Sequence, residues 1–279
     1  MMKPWWIGNF ILLQVVLVGV IDATAAADRR LQVTVKRWLE VRRPIGQVLH
    51  SRGNKSQPAR SGLKLQAVGD AIITKQNSSA VLAIDIGTGF IQVAENTNIN
   101  IQKLERGRRG EQITQLQVKS GQVRLRVRPF TNPASRLEIK SPAGVAGVRG
   151  TDFGVNVRQN GLMGVATLTG GVATTAQGQT VLVKAGFQNI TIPGQPPSKP
   201  VPLQDNTDLN IRQLSANGNQ IRIIGSVDPV NLLIIAEQEW NTDASGRFDI
   251  TVPLLPNGRV EAVVVTPLGK KQLYELAVP

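Results

Sequence analysis

Four glycines surround one arginine and one aspartate in the stretch SPAGVAGVRGTDFGVNV, residues 141–157. A glycine-rich loop can bind phosphate when its backbone amides converge on an anion at the start of a helix. The first three glycines follow one another at intervals of three, which matches neither the dinucleotide-binding nor the P-loop spacing. The residues TDFGVNV that follow are typical of a strand rather than a helix. The stretch therefore predicts a corner of a β-structure, in which Arg149 and Asp152 form a local ion pair or hydrogen-bond to turn carbonyls.

Catalytic side chains are scarce in the rest of the sequence. The 279 residues contain no cysteine and one histidine, His50. Thiolate and multi-histidine metal sites, thiol nucleophiles and serine–histidine relays therefore have almost no support. No pair of carboxylates lies in a setting that suggests acid–base catalysis. We predict a protein that is not an enzyme, with no catalytic residues, no metal and no cofactor.

The chain is strongly basic. It has 32 Lys and Arg against 19 Asp and Glu, a formal net charge of +13. Such an excess attracts anionic polymers, although a generally basic surface explains it equally well. The turn formed by Arg106, Arg108 and Arg109 is the candidate contact for a polyanion, and the alternative is an exposed, solvated loop. Nucleic acid is not expected as a partner.

The N-terminus is typical of a secretory signal. Residues 7–21 form an apolar run that is too short for a membrane-spanning helix, and small residues follow it. We expect cleavage after Ala27, so residues 1–27 are a signal peptide and the mature chain has no membrane span. The alternative is an uncleaved anchor. Either outcome predicts an extracytoplasmic protein, in the periplasm or else secreted or on the cell surface, and the lack of cysteine is consistent with this.

Beyond the signal, the sequence predicts strands and no helices. Residues 28–62 are a basic arm with one early strand, and residues 63–192 contain short β-type runs separated by Gly, Asn and Ser. Five prolines mark residues 193–207 as a linker. Residues 208–279 hold five more strand candidates that fit a small β-sandwich.

Two stretches, LQVKSGQVRLRV and VATLTGGVATTA, both place a glycine between two runs of alternating apolar and polar residues. This echo predicts stacked β-arches or a curled β-roll, in which alternate Val, Leu and Ile side chains are buried and glycine lies where the chain turns.

The opening stretch resembles the signature of FecR-type domains, the extracytoplasmic module of iron-dicitrate signalling regulators, which has the form V-x-G-V-R-G-T-[DE]-F. The resemblance continues upstream through residues 65–101 and covers about residues 45–190. It implies an all-β domain without catalytic residues. Residues 241–272 resemble bacterial immunoglobulin-like modules, which implies an immunoglobulin-like sandwich at the C-terminus. The family signature transfers only as fold-defining positions: Gly147, Val148, Arg149, Gly150, Thr151, Asp152 and Phe153.

The expected function is that of an exported, non-enzymatic binding or scaffolding protein of the cell envelope, whose partner is an envelope protein or an anionic cell-wall polymer. Signalling regulators of the family place a cytoplasmic helical region before their membrane segment, whereas six residues precede the apolar run here. A signal-transducing regulator coupled to an outer-membrane receptor is therefore the alternative, together with electrostatic binding of anionic polymers.

Overall fold

A computed structural model describes residues 36–254 and 258–277, and the expected signal peptide lies outside them. Every regular element in these residues is a β-strand, which confirms the all-β prediction. The described residues belong to one compact unit. Within it, two lobes are built around separate hydrophobic cores.

The first lobe contains seventeen strands among the described residues. They are β1 Leu39–Ile45, β2 Val48–Arg52, β3 Lys55–Pro58, β4 Lys64–Leu65, β5 Ala71–Thr74, β6 Ser79–Ile84, β7 Gly89–Val93, β8 Asn98–Arg106, β9 Gln112–Val127, β10 Arg136–Lys140, β11 Val145–Val148, β12 Asp152–Val157, β13 Met163–Thr169, β14 Gly171–Ala176, β15 Gln179–Lys184, β16 Phe187–Thr191 and β17 Val201–Pro202.

These strands form two sheets that share one strand. Sheet I has the order β4-β1-β6-β7-β9-β12-β13-β16-β17 and is antiparallel throughout. Sheet II has the order β3-β2-β5-β8-β9-β10-β11-β14-β15, with one parallel pair, β9–β10. The long strand β9 lies at the centre of both sheets.

The core of the first lobe lies between the two sheets. One row of sheet I shows how it is built, because the register places five apolar side chains of neighbouring strands side by side. Successive side chains of a strand point to opposite faces of the sheet, so one face of the pleat enters the core, as the alternation in β7 shows. Burial of one such side chain contributes about 1.5–3 kcal/mol. The row consists of Val41, Leu82, Ile91, Leu125 and Phe153, all buried.

Glycines carry the chain from one sheet to the other at the two places where the sequence shows its echo. Strand β9 does not break there, as had been expected, but bends at Gly121 (φ +98°) and passes from sheet II to sheet I. Gly170 (φ +76°) separates β13 in sheet I from β14 in sheet II. The resulting arrangement is a curled roll. Stacked arches pair in parallel, whereas the strands of this lobe pair almost entirely antiparallel.

Residues 36–62 are not a basic arm, so this part of the sequence interpretation is wrong. They supply β1, β2 and β3, and Leu39, Val41 and Val48 are buried in the core. Most basic residues of the segment are exposed, with the buried Arg37 as an exception, which is why the composition suggested a solvated arm.

The second lobe is a β-sandwich of seven strands, within the part of the chain that is described. The three-stranded sheet has the order β18-β19-β22, and the four-stranded sheet has the order β21-β20-β23-β24. The strands are β18 Asn210–Asn217, β19 Gln220–Ser226, β20 Leu232–Ile235, β21 Gln238–Trp240, β22 Arg247–Pro253, β23 Arg259–Val265 and β24 Lys271–Ala277. The proline-rich stretch before this lobe is held to the first lobe, since β17 pairs with β16 and the Leu203 amide donates to the Gly186 carbonyl at 2.8 Å.

Candidate functional site

The signature stretch forms the crossing from sheet II to sheet I, because β11 lies in the one and β12 in the other. Gly150 stands at the crossing with φ +147°, and a Cβ there would lie 2.4 Å from the Cα of Pro129. Both the angle and the close approach require glycine. The segment is followed by a strand rather than a helix, so it has the geometry of a corner and not of a phosphate-binding loop.

Other signature residues fasten this corner to the core. Val148 and Phe153 are buried on either side of the crossing. Thr151 is buried as well, and its hydroxyl donates to the Gly171 carbonyl at 3.1 Å. Gly147 lies within β11 and has space around it, because a Cβ added there would be 3.8 Å from the nearest atom. Val148, Thr151 and Phe153 therefore hold the corner against the core, whereas the surroundings of Gly147 do not require glycine.

Asp152 does not pair with Arg149, contrary to the expected local ion pair. It accepts hydrogen bonds from Arg124 Nε and Nη2 at 3.0 and 3.1 Å, and its other contact is Arg126 Nε at 3.2 Å. Both arginines lie on β9, the strand that pairs with β12 at this position. Arg149 is exposed at the corner and points away. The partners of Asp152 were missed because they are distant in sequence.

The second lobe docks on the outer face of sheet I through two glycines. A Cβ on Gly154 would lie 1.8 Å from the carbonyl oxygen of Pro267, and a Cβ on Gly164 would lie 2.7 Å from that of Val230. Only a residue without a side chain permits backbones to come so close. Gly154 of the signature stretch therefore serves the contact between the lobes.

Polar side chains of sheet I donate hydrogen bonds to backbone carbonyls of the second lobe around these glycines. Asn156 Nδ2 donates to Val230 and Val265 at 3.0 and 3.2 Å. Gln122 Nε2 donates to Pro267 at 2.9 Å. The side chains of Asn156 and Gln122 are buried, so the carbonyls that they satisfy would otherwise lack a partner away from water.

Arg158 completes the contact between the lobes and is 1% exposed. Its guanidinium donates to three carbonyls of the second lobe, those of Pro229 at 2.7 Å, Asn231 at 3.0 Å and Thr242 at 3.2 Å. Burial lowers the pKa of Arg158 to about 10, although nearby carboxylates of the second lobe oppose this effect. The side chain thus remains cationic at neutral pH and makes hydrogen bonds that a smaller side chain cannot replace.

A polar cleft of about 810 Å³ lies along one side of the contact between the lobes. The first lobe lines it with residues 94–98, and the second with β20, β21 and Lys271. Lys271 bridges the lobes through an ion pair with Glu95 at 2.5 Å. Burial opposes ionisation of Glu95, but Lys271 and the Asn77 amide outweigh it and lower the pKa.

Glu239 is the other carboxyl group of note in this cleft. Burial raises its pKa, whereas the Gln159 amide, which donates to it at 3.0 Å, and Arg158 act in the opposite direction. The residues of the cleft are scattered along the sequence between 73 and 271, and no motif indicates them. Sequence reasoning missed the cleft for this reason.

The single histidine belongs to a structural cluster around Asp70. The buried Asp70 carboxylate accepts from Arg52 Nη2 at 2.7 Å and from the amides of Gln66 and Ala67 at 2.9 and 3.0 Å, and His50 Nε2 lies 3.4 Å away. Burial alone would raise the pKa of Asp70, but Arg52 and the two amides outweigh it and hold the pKa well below its usual range. The cluster fixes the turn that leads into β5.

The basic turn predicted to contact polyanions joins β8 to β9. Arg106, Arg108 and Arg109 are exposed there, and Glu111 accepts a hydrogen bond from the Arg109 amide at 2.9 Å. Within residues 36–254 and 258–277, no group of three or more His, Cys, Asp or Glu could hold a metal ion. The same residues include no helix with the length and hydrophobicity of a bilayer span.

Residues 70–173 match the family described as FecR protein. The match begins at the Asp70 cluster, includes the signature corner and ends in β14. The chain therefore contains a FecR domain, which confirms the resemblance found in the sequence. The immunoglobulin-like identity of the second lobe stays a prediction.

Two solved structures of one protein from Parabacteroides distasonis ATCC 8503, described as a proposed anti-sigma factor, are similar to part of this chain. Each has a TM-score of 0.38 and 14% identity over 47% of this chain and 57% of its own, so the chain spans little more than half of their length. A polysaccharide lyase has a TM-score of 0.20 and 9% identity over 87% of this chain and 39% of its own. Likenesses this weak say nothing about function. No curated protein matches the chain significantly.

Proposed function

We propose that this chain is an extracytoplasmic, non-enzymatic regulator of the FecR type, which binds a protein partner and takes part in signalling across the envelope. The observation that carries the proposal is the FecR match over residues 70–173, which covers the central strands of both sheets and the signature corner. We prefer this function to the envelope scaffold expected from the sequence, because the FecR-type domain that the sequence resembles is the module of signalling regulators.

Partner binding would use the surface of the first lobe rather than an enclosed site. Among the residues that the structure describes, the outermost strands of sheet II, β3 and β15, each pair with one neighbour. A strand with one unpaired side can accept an extended segment of another protein through main-chain hydrogen bonds. All four residues of β3 are exposed, which leaves it accessible to such a segment.

Deletion of the gene in the producing bacterium tests the proposal. If the protein is a signalling regulator, transcript levels of a defined set of genes change, and wild-type protein restores them whereas a Gly150→Val variant does not. Unchanged transcription together with altered envelope composition or integrity would instead support the scaffold function.

Localisation requires its own test. N-terminal sequencing of the protein recovered from periplasmic and membrane fractions should find a mature chain that begins near Asp28. Intact protein in the membrane fraction would favour the uncleaved anchor, and intact protein in the cytoplasm would contradict the extracytoplasmic assignment.

A further inference from the structure

One end of the first lobe presents a strongly exposed apolar side chain to solvent. Ile86 lies in the turn between β6 and β7 and is 88% exposed. The residues on either side, Asp85 (φ +46°) and Gly87 (φ +78°), are both left-handed. The Asp85 carboxylate accepts from Arg37 Nε at 2.8 Å and from the Trp38 amide at 3.0 Å, which fixes the turn. Ile86 is therefore held in an exposed position by a well-bonded turn.

Five arginines surround this turn, and we call them the arginine rim. Each is exposed. Among the described residues, none of their guanidinium groups has a hydrogen-bond or ion-pair partner. Partner-free guanidinium groups retain their full capacity for bidentate hydrogen bonds to an anion. The arginine rim consists of Arg106, Arg108, Arg109, Arg128 and Arg149.

Three arginines of the rim and Ile86 line two adjoining depressions. A depression of about 230 Å³ is lined by Ile86, Arg128 and Phe130 among others, and a second one by Arg108 and Arg109. The two depressions share Thr131 and Asn132.

Backbone hydrogen bonds fix the segments that carry the rim. The Arg128 amide donates to Thr88 at 3.0 Å, and the Phe130 amide donates to Arg149 at 2.9 Å. Asn132 Nδ2 donates to the carbonyl of Arg109 at 3.0 Å. The turns at this end are therefore joined to one another, and the backbone that carries Arg109, Arg128 and Arg149 is fixed before any ligand binds.

Carboxylates near the rim have partners other than the rim guanidinium groups. Asp85 is paired with Arg37, Glu105 with Lys103 at 3.1 Å, and Glu111 accepts from the Arg109 amide. The surface as a whole carries an excess of positive charge, which attracts anions over a distance of about 8–10 Å in physiological salt.

We propose that this end of the first lobe docks on an anionic phospholipid surface. The arginine rim binds lipid phosphates, and Ile86 inserts at the boundary between headgroups and acyl chains. The combination favours lipid over a hydrated anionic polymer, because a polymer offers no apolar environment to an isoleucine. This docking is additional to the proposed signalling function and does not depend on it.

The test uses the purified mature protein and vesicles of phosphatidylcholine with or without about one third phosphatidylglycerol, in a flotation assay. Wild-type protein should float with the anionic vesicles only, and less so as salt rises. The triple variant Arg108→Gln, Arg109→Gln, Arg128→Gln should bind about a hundredfold more weakly, from about fivefold per arginine near the surface. Ile86→Ser should weaken binding about tenfold.

Matched controls remove equal charge or equal apolar surface elsewhere. Arg60→Gln, Lys184→Gln, Arg212→Gln changes three exposed cations outside the rim, and Leu273→Ser changes an exposed leucine of the second lobe. Both should bind almost as wild type does, and thermal unfolding should show that every variant is folded.

Three results would overturn the proposal. The first is that wild-type protein does not bind anionic vesicles at low salt. The second is that the control triple variant loses as much vesicle binding as the rim triple variant. The third is that the protein binds dextran sulfate as tightly as vesicles and that Ile86→Ser does not change vesicle binding. The second result would show that the net charge of the protein, and not the rim, attracts the vesicles. The third would show that the rim binds a soluble polyanion.

Discussion

At the scale of single residues, two glycines of the signature stretch have different surroundings. Gly154 contacts the backbone of Pro267, whereas Gly147 has room for a methyl group. We expect Gly154→Ala to lower the free energy of unfolding by at least about 2 kcal/mol, because two backbones must move apart. Gly147→Ala should change it by less than about 0.5 kcal/mol. Urea unfolding of both variants measures the difference, and equal effects would show that Gly154 does not serve the contact between the lobes.

A second residue-scale prediction concerns Asp70 and pH. The pKa of Asp70 is lower in the folded protein than in the unfolded chain, where it is about 3.9. The ionised carboxylate therefore stabilises the fold fully above about pH 3.9, and this stabilisation is lost as the pH falls towards the pKa of the folded state. Asp70→Asn should cost about 3 kcal/mol at pH 7, because Arg52 and two amides lose a carboxylate. The variant should also lose less stability than wild type between pH 5 and pH 2.

Urea unfolding at several pH values measures both effects of this change. Asp249→Asn is the matched control, since Asp249 pairs with Arg222 on the exposed surface and such a pair contributes little. A variant whose pH dependence equals that of wild type would contradict the role assigned to Asp70.

The identity of the residues alone predicted part of the signature corner. The glycines of the signature predicted a corner, because positive φ and close backbone approach are properties of glycine itself. The partners of Asp152 and the exposed position of Ile86 were not predictable, since both depend on strands that are distant in sequence.

At the scale of elements, Arg158 holds the second lobe to the end of β12. Arg158→Met should cost about 3 kcal/mol, because three buried carbonyls lose their donor. We further expect the Arg158→Met variant to unfold in two separate transitions, one for each lobe. Denaturant titrations followed by tryptophan fluorescence and by circular dichroism would reveal the separation.

Lys271→Met provides the comparison for Arg158, since it removes a half-exposed cation that also links the lobes. It should cost less than about 1 kcal/mol and keep a single transition. If Arg158→Met behaves as Lys271→Met does, the buried arginine is not what joins the lobes.

Most strands were predictable because apolar and polar residues alternate along them. β5–β8, β10 and β12–β16 all lie within residues 63–192, where the sequence predicts short strands. Other features were not. β9 is one strand rather than two, β11 lies within the glycine-rich stretch, and β18 was missed among polar residues. Residues 36–62 hold three strands where one was expected, and β17 lies in the expected linker. Alternation indicates a strand but carries no information about its hydrogen-bonding partner or about which sheet it enters.

At the scale of the whole molecule, the first lobe is larger than the segment that matches the FecR family. Strands β1–β4 precede Asp70 and strands β15–β17 follow Ala173, yet they complete both sheets. A chain that begins at Leu63 loses Leu39, Val41 and Val48 from the core, about 6 kcal/mol of burial. We expect it to be unfolded, whereas a chain that begins at residue 36 should fold.

Circular dichroism and thermal unfolding of these two truncated chains decide the point. Cooperative unfolding of the chain that begins at Leu63 would show that residues 36–62 are dispensable, as the basic composition had suggested. The composition misled because charged residues on the exposed side of a strand look the same in sequence as those of a loop.

The position of β9 has a consequence for the order in which the molecule can fold. It pairs with β7 and β8, which precede it, and with β10 and β12, which follow it. A growing chain therefore has no central strand for sheet II until Ser120 has been synthesised, and none for sheet I until Val127. Sheet I must wait for β12 as well. Pairing between distant segments makes folding slow, in the range of milliseconds to seconds for all-β domains. An N-terminal half that remains unfolded for so long stays competent for translocation, which suits the export proposed for this protein.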